Sequence, residues 1–370
     1  MIGSTEVLGE ARDSVRYDLQ NNKHPSLVSF ILVAYNQEDF IEEAIISALN
    51  QNYEPLEIII SDDASTDQTF EIAKAVVGRY NGPHHVILRC NQKNMGINSH
   101  INLVVNQTHG EFIIAAAGDD ISLPERTEKL ARQWQAGFSG VFSNATLIDV
   151  HGDSKGLFVR PGYKHMSGWR AMALAGTHGA WGCTFAWEKK VFDLFGDMQE
   201  NILGEDAVVP FRCALLNGVA YLDEPLVQYR DRGGNVSFWA REKESGKAEM
   251  IRLGVSVMRF KKCMYGNWRQ DLGRAMEKGL IDYAACTWGQ RVLYENTLLA
   301  KKMDALLHIN FIMLMTLLPL YGAYFAVRMS RLTPAHYAFK KTVWKLLNGV
   351  LHYRMPKLHR KIRWMLGRNT

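Results

Sequence analysis

Cysteine is scarce. The five cysteines in 370 residues, Cys90, Cys183, Cys213, Cys263 and Cys286, are scattered, odd in number and without a CxxC pair. That spacing argues against a disulfide framework and a structural zinc site, and it points to a reducing compartment. An apolar core is missing from Met1 to Lys23, so no signal peptide is expected. There is no internal repeat and no low-complexity tract. Acidic residues are absent after Asp304, whereas 11 Lys and Arg lie between Arg328 and Arg368. The first 304 residues carry 32 Lys and Arg against 38 Asp and Glu, a net of −6, so the overall +5 conceals an acidic body and a basic tail. A content of 47% hydrophobic and 22% charged residues is that of a globular protein. At this length a domain with appendages is expected.

Two acidic motifs dominate the first 120 residues. Ser61-Asp62-Asp63-Ala64-Ser65 follows the apolar run Leu56-Glu57-Ile58-Ile59-Ile60, and Ala117-Gly118-Asp119-Asp120 follows Glu111 to Ala116. Both runs have the length and near-continuous hydrophobicity of strands buried on two faces of a mostly parallel sheet. Ligands of open α/β sheets bind at the carboxyl ends of such strands. Carboxylates there suit a divalent cation, which in turn holds a diphosphate. Val28 to Ala34 predicts the first strand, the apolar period from Phe40 to Leu49 a helix, and His85 to Arg89 a third strand. A second helix, capped by Ser65 or Thr66, is expected to stop at Asn81-Gly82-Pro83. The alternation predicts a Rossmann-like layered domain. Taken alone, each acidic pair reads as a solvated turn or a helix cap, and Gly-Asp-Asp also occurs in template-directed RNA polymerases. The β-hairpin context and far longer chain of those polymerases are absent.

The ordered set Pro25-Ser26-Leu27-Val28-Ser29 with Ala34-Tyr35-Asn36, Ser61 to Asp67, Asn94-Met95-Gly96, Gly118-Asp119-Asp120 and Gly204-Glu205-Asp206 resembles family 2 glycosyltransferases of the GT-A fold, over roughly residues 25 to 237. The resemblance implies a mixed, mostly parallel sheet flanked by helices. It implies nucleotide contacts from Ala34, Tyr35, Asn36, Asp62 and Asp63, with the loop Asn94 to Gly96 closing that side and Lys93 or Arg232 near phosphate. The family's metal motif has an Asp where this chain has Ala117. In the shorter form Asp120 is the expected ligand of Mg2+ or Mn2+, and Asp119 a donor-sugar or ribose contact. Asp206 is the implied base and Glu205 its partner, which predicts inversion at the anomeric carbon. Leu226 to Arg230 with Asn235-Val236-Ser237 resembles the family's closing segment. Thr177 to Gly182 is a candidate acceptor loop with His178 and a stacking Trp181, although a satisfied His and a half-buried aromatic fit these residues equally.

The expected organisation is an N-terminal extension (1–24), the catalytic domain (25–240), a helical linker (241–304), a hydrophobic segment (305–327) and basic amphipathic helices (328–370). Val343, Leu346, Leu347, Val350 and Leu351 share one helical face, Trp344 and Trp364 suit a headgroup boundary, and the basic side attracts an anionic membrane surface. Ala305 to Val327 has no formal charge, but Pro319 and Gly322, and the basic tail after it, favour a re-entrant or interfacial element over a span. Packing of these helices as ordinary core is the competing reading. Together these features predict a transferase at the cytoplasmic face of the inner membrane. Its donor would be a nucleotide sugar and its acceptor a saccharide on a polyprenyl carrier; no nucleic-acid partner is expected. The alternatives are a nucleotidyltransferase, whose Gly-rich basic loop Ala34 to Glu38 does not provide, and a catalytically inactive membrane-bound scaffold.

Overall fold

Alternation along each strand sorts its side chains onto two faces, and here both faces are covered. The computed structural model describes residues 26–158, 167–177, 179–200, 204–232 and 247–308. Its first half runs β1 (Val28–Ala34), α1 (Ile41–Leu49), β2 (Leu56–Asp62), α2 (Thr69–Val77), β3 (His85–Cys90), α3 (Ile97–Val105) and β4 (Phe112–Ala117). Phe30, Ile58 and Ile114 are buried on the side of α1 and α2, while their neighbours Ile31, Ile59 and Ile113 enter the core on the other side. Each such side chain contributes about 1.5–3 kcal/mol by leaving water. All seven residues of β2 are buried, as its apolar run predicts.

The second half adds β5 (Ile121–Ser122), α4 (Arg126–Gln135), β6 (Gly140–Ile148), β7 (Ser154–Phe158), α5 (Trp169–Ala175), β8 (Phe185–Glu188), α6 (Lys190–Phe195), α7 (Val209–Leu216) and β9 (Val219–Arg230). Among the described residues one nine-stranded sheet forms, in the order β3-β2-β1-β4-β8-β6-β9-β5, with β7 on β6. β3, β2, β1 and β4 are mutually parallel. β8 is antiparallel to both β4 and β6, and β9 runs parallel to β6. This is the expected mixed, Rossmann-like sheet. Because chain order runs from β1 to β2 on one side and reaches β4 on the other, a crevice opens beyond the carboxyl ends of these three strands.

Three details differ from the sequence expectation. α2 begins at Thr69 and ends at Val77, before Asn81. Ser65 and Thr66 do not cap it; the Asp67 carboxylate takes the Thr69 N–H at 3.0 Å, because the Ser65 hydroxyl is already engaged by Asp62 and by the Asn36 N–H. The expected linker, in its described part, is a hairpin of α8 (Lys247–Glu277) and α9 (Tyr283–His308) that shares the core of the sheet domain. Trp268 of α8 stacks on Phe211 of α7 with centroids 4.3 Å apart, and its indole N–H donates to the Ala207 carbonyl at 2.7 Å. Fully buried Arg212 pairs with Asp271 at 3.0 Å. No described helix is long and apolar enough to cross a membrane. The N-terminal extension, Pro25, Asn235 to Ser237 and the basic helices of 328–370 lie outside the described residues, as does the hydrophobic segment beyond residue 308.

Candidate active site

The nucleotide side is built from two turns latched to each other. After β1, Asn36 takes a left-handed φ of 51°, which Asn tolerates better than most residues. Its N–H donates to the Ser65 hydroxyl at 2.9 Å, and its side-chain oxygen accepts the Thr66 N–H at 2.8 Å. The Glu38 N–H donates to Asp67, and the Glu38 carboxylate accepts from the Gln68 N–H. Ala34 is buried beside them and Tyr35 is exposed at the rim. Asp62 is committed to its own turn: it accepts from the Ser65 N–H and hydroxyl and from the Cys90 thiol. Asp63 organises the next loop by accepting from the Asn91 amide, the Met95 N–H and the Gly96 N–H at 2.6, 3.0 and 3.0 Å. Gly96 has a φ of 77°, where only glycine is unstrained, and it leads into α3. Asn94 and Lys93 are exposed on this loop. The pair expected to hold base and ribose therefore also shapes the walls of that cleft.

Asp119 and Asp120 sit at the crevice mouth after β4, both buried. Burial pushes the Asp119 carboxyl up, opposed by Arg232, whose Nε lies 2.9 Å from Oδ2. Asp120 is pushed well above the usual carboxylate range by burial and then by the Asp119 charge. Its Oδ1 accepts the Arg230 N–H at 2.9 Å, and the Cys183 thiol is a further hydrogen-bond partner. Beneath the pair lies Arg126, fully buried, donating to the Ala115 carbonyl and the Ser122 hydroxyl; burial lowers its pKa to about 10. The Arg230 guanidinium ties the motif to the Asp119 and Asp149 carbonyls and to Glu43 at 2.6 Å, and lies over the Phe40 ring. Arg232, expected near phosphate, is paired with Asp119 in this structure.

The second acidic pair approaches from α7. Glu205 to Ala207 forms a single 3-10 turn that leads into that helix. Glu205 is buried, and burial together with the Asp206 charge pushes its carboxyl up to about 8; Asp206 is the more exposed of the two. Glu205 lies against Gly182, where a Cβ would overlap its Oε1. Gly182 opens the turn Gly182–Thr184 that also carries Cys183 to Asp120. One short turn thus joins both acidic pairs. Trp181, before this turn, packs against Phe158 and Tyr229 at centroid distances of 3.6 and 5.4 Å. His178 lies outside the described residues.

Among the described residues no three His, Cys, Asp or Glu side chains are grouped so as to hold a metal by themselves. Mg2+ commonly binds through one or two carboxylates plus substrate phosphates. Buried Asp119 and Asp120, each penalised for carrying charge, fit a cation on those terms and together with a donor diphosphate.

Sequence reasoning missed four contributors. Gln37 bridges the motifs: its N–H donates to Thr69 at 2.7 Å and its side chain contacts Asp119. Arg126 reads as a surface residue in the charged run Arg126 to Lys129. In the sequence Arg230 stands only as part of the closing segment, and Cys183 only as a scattered thiol. The clue to Gln37 was its place between two motifs already singled out.

Residues 29–194 match the family model described as glycosyl transferase family 2. EpsE of Bacillus subtilis is 38% identical over 102 residues, 28% of this chain and 36% of that protein. Chondroitin synthase of Escherichia coli is 31% identical over 141 residues, 38% of this chain and 20% of the synthase. The matched stretch spans well under half the length of these relatives. In three dimensions the chain is similar to the mannosyltransferase PcManGT from Pyrobaculum calidifontis, solved with GDP-Man and Mn2+. The TM-score is 0.50 at 16% identity over 90% of this chain and 88% of the other, a likeness of fold. The sheet, the acidic motifs and the family match agree, and residues 29–194 form a domain of the glycosyl transferase family 2 type.

Proposed function

We propose that the chain moves a sugar from a nucleotide-diphosphate donor to a hydroxyl of a saccharide acceptor, with inversion at the anomeric carbon. The observation that carries this reading is the convergence of Asp119-Asp120 and Glu205-Asp206 on the Gly182–Thr184 turn, beside the crevice shaped by Asp62 and Asp63. In the reaction the acceptor oxygen bonds to the anomeric carbon, the bond from that carbon to the phosphate oxygen breaks, and the acceptor proton passes to Asp206. Glu205, which holds its proton to about pH 8, serves as a hydrogen-bond donor beside the base rather than as a second base. Asp120 and Asp119 would hold Mg2+ or Mn2+, which when bound offsets negative charge on the leaving nucleoside diphosphate. The cleft residues Ala34, Tyr35, Asn36, Asp63, Asn94 and Gly96 would take the nucleotide, and exposed Lys93 the phosphates. A solved neighbour in complex with GDP-Man and Mn2+, and a relative named chondroitin synthase, support a nucleotide-sugar donor and a saccharide product.

The acceptor is assigned to a lipid carrier of polyprenyl type, and the enzyme to the cytoplasmic face of the membrane in cell-surface polysaccharide assembly. The support for this is the basic, acid-free sequence after Asp304. Salt-dependent co-sedimentation of the full chain with phosphatidylglycerol vesicles, and none with neutral vesicles, is the expected behaviour. The transferase reading is tested by presenting UDP- and GDP-sugars with Mn2+ and following released nucleoside diphosphate. Asp206→Asn is expected to lower turnover by roughly 10²–10⁴-fold, the usual contribution of a positioned base. A folded protein that binds and turns over no donor would overturn it.

A further inference from the structure

Helix α3 and its C-terminal cap carry asparagine at positions 98, 102 and 106, one every four residues, so the three side chains lie on one face. Asparagine is among the weaker helix formers, because its amide competes for nearby backbone groups. Here the amides reach instead to the strap of chain that follows α6, and they meet it in reverse order. Asn98 Nδ2 donates to the Gln199 carbonyl at 3.0 Å. The Asn102 amide donates to the Met198 carbonyl at 2.8 Å, while its oxygen accepts the Met198 N–H at 2.9 Å. Exposed Asn106 lies 3.4 Å from the Asp197 carboxylate. Two arginines hold the same strap: Arg274 of α8 donates to the Phe195 carbonyl at 2.8 Å, and Arg212 of α7 donates to the Gly196 carbonyl at 2.6 Å. The Gln199 side chain is bonded to Gln270 and Asn267 of α8. Side-chain donors thus anchor the backbone from Phe195 to Gln199, a stretch that leaves α6 and enters no strand.

We propose that Asn98 and Asn102 are positioning residues for the transfer, and that through them α3 sets the place of the Glu205-Asp206 turn relative to the nucleotide cleft. The proposal rests on the transferase reading and adds how the base is kept in register with the donor. The start of α3 is the nucleotide loop itself: the Met95 and Gly96 N–H groups close on Asp63, and Gly96 leads directly into the helix. On another face of α3, His100 Nε2 lies 2.6 Å from the hydroxyl of Ser61, the residue before Asp62. The helix is therefore fastened to the cleft at both Asp63 and Ser61. Its asparagines hold a strap that ends at Glu200, five residues before Glu205. The chain after the acidic turn is tied to the same strap, because Arg212 of α7 bonds both Gly196 and Asp271. Asn98 and Asn102 are buried, so a bond left unmade there costs the desolvation of its partner. The Asn102 amide both donates to and accepts from the backbone of one residue, which neither a leucine nor an aspartate does. A helix bonded at one end to the donor cleft and along one face to the support of the base carries a displacement of one to the other.

The test is Asn102→Leu in the full chain, which keeps the side chain's size and loses both bonds. Asn98→Ala is the milder variant, and it decides the same comparisons if thermal melting shows Asn102→Leu to be unfolded. Asn102→Leu is expected to lower kcat with a UDP- or GDP-sugar by about 10²-fold, the usual penalty of a small misplacement, with the dissociation constant of UDP or GDP within about a factor of two. Asn98→Ala should lower kcat in the same sense by a smaller factor. In an Asp206→Asn background the base is already gone, and Asn102→Leu should then cost less than about threefold, a non-additivity that a general loss of structure does not give. Hydrogen exchange of the amides of 204–212 should be roughly tenfold faster in Asn102→Leu than in wild type, with those of 62–67 unchanged. Unchanged kcat and exchange in the folded variants, or an equal loss in the Asp206→Asn background, overturns the positioning role and leaves the transferase reading standing. If wild type turns over no donor, the transferase reading fails and exchange alone decides: faster exchange over 204–212 keeps the hold of α3 on the acidic turn, and unchanged exchange removes it.

Discussion

Glu205 and Gly182 are in contact so close that glycine is the only residue that fits opposite the carboxylate. Gly182→Ala is therefore expected to displace Glu205 without disturbing the nucleotide turns. A misplacement of about 1 Å near reacting groups costs on the order of 10²-fold in rate. Steady-state kinetics should show kcat reduced by that order, with the dissociation constant for UDP or GDP within about a factor of two by calorimetry.

The buried carboxyl of Glu205 also sets a pH dependence of stability. Its folded pKa is raised to about 8 from 4.5, so between those values the folded state binds the extra proton. Stability from this group is present below pH 4.5 and is lost as pH rises toward 8. Glu205→Gln does not ionise, so its melting temperature should match wild type near pH 4.5. It should exceed wild type by roughly 10 °C at pH 9, since a shift from 4.5 to about 8 is worth roughly 4–5 kcal/mol and each kcal/mol moves the midpoint by about 2–4 °C in a large domain.

Arg232 competes with any cation for Asp119. Removing it in Arg232→Ala leaves the two aspartates less compensated, and Mn2+ affinity in the absence of nucleotide should rise by roughly fivefold for a partly screened pair. Electron paramagnetic resonance of free Mn2+ reads this directly. Weaker Mn2+ binding in the variant would place the cation elsewhere.

Asp271 is the fully buried partner of Arg212, which also donates to the Gly196 carbonyl. Asp271→Ala leaves a buried guanidinium without its carboxylate and should cost about 3–5 kcal/mol, read by urea unfolding. Asp271→Asn keeps an acceptor and should cost less.

The strands and their acidic ends were legible because burial on both faces leaves an uninterrupted apolar run, as in Ile58-Ile59-Ile60, that no surface element shows. The order of motifs carried the family. What escaped was set by tertiary partners. Ser65 is a good cap in isolation, but Asn36, 29 residues earlier, takes its hydroxyl. Arg126 sits among charged helix residues and yet is fully buried, because Ser122 and Ala115 receive its donors. Charged stretches in α8 and α9 suggest a helical linker. Trp268, Leu272 and Tyr265 share one buried helix face, hidden by the Lys and Arg residues between them.

The sheet also has a seam. β4 meets β8 through only three antiparallel partners, Phe112 with Glu188, Ile113 with Trp187 and Ile114 with Ala186. On one side of that seam stand the turns that shape the nucleotide crevice; on the other stand Trp181, the acidic turn before α7 and the helical hairpin that supports it. If the proposed function holds, a lineage that exchanged one half for another across this join would change the acidic turn before α7 while keeping the turns proposed to take the nucleotide. Chimeras cut between β4 and β8 are accordingly the natural way to redirect such an enzyme.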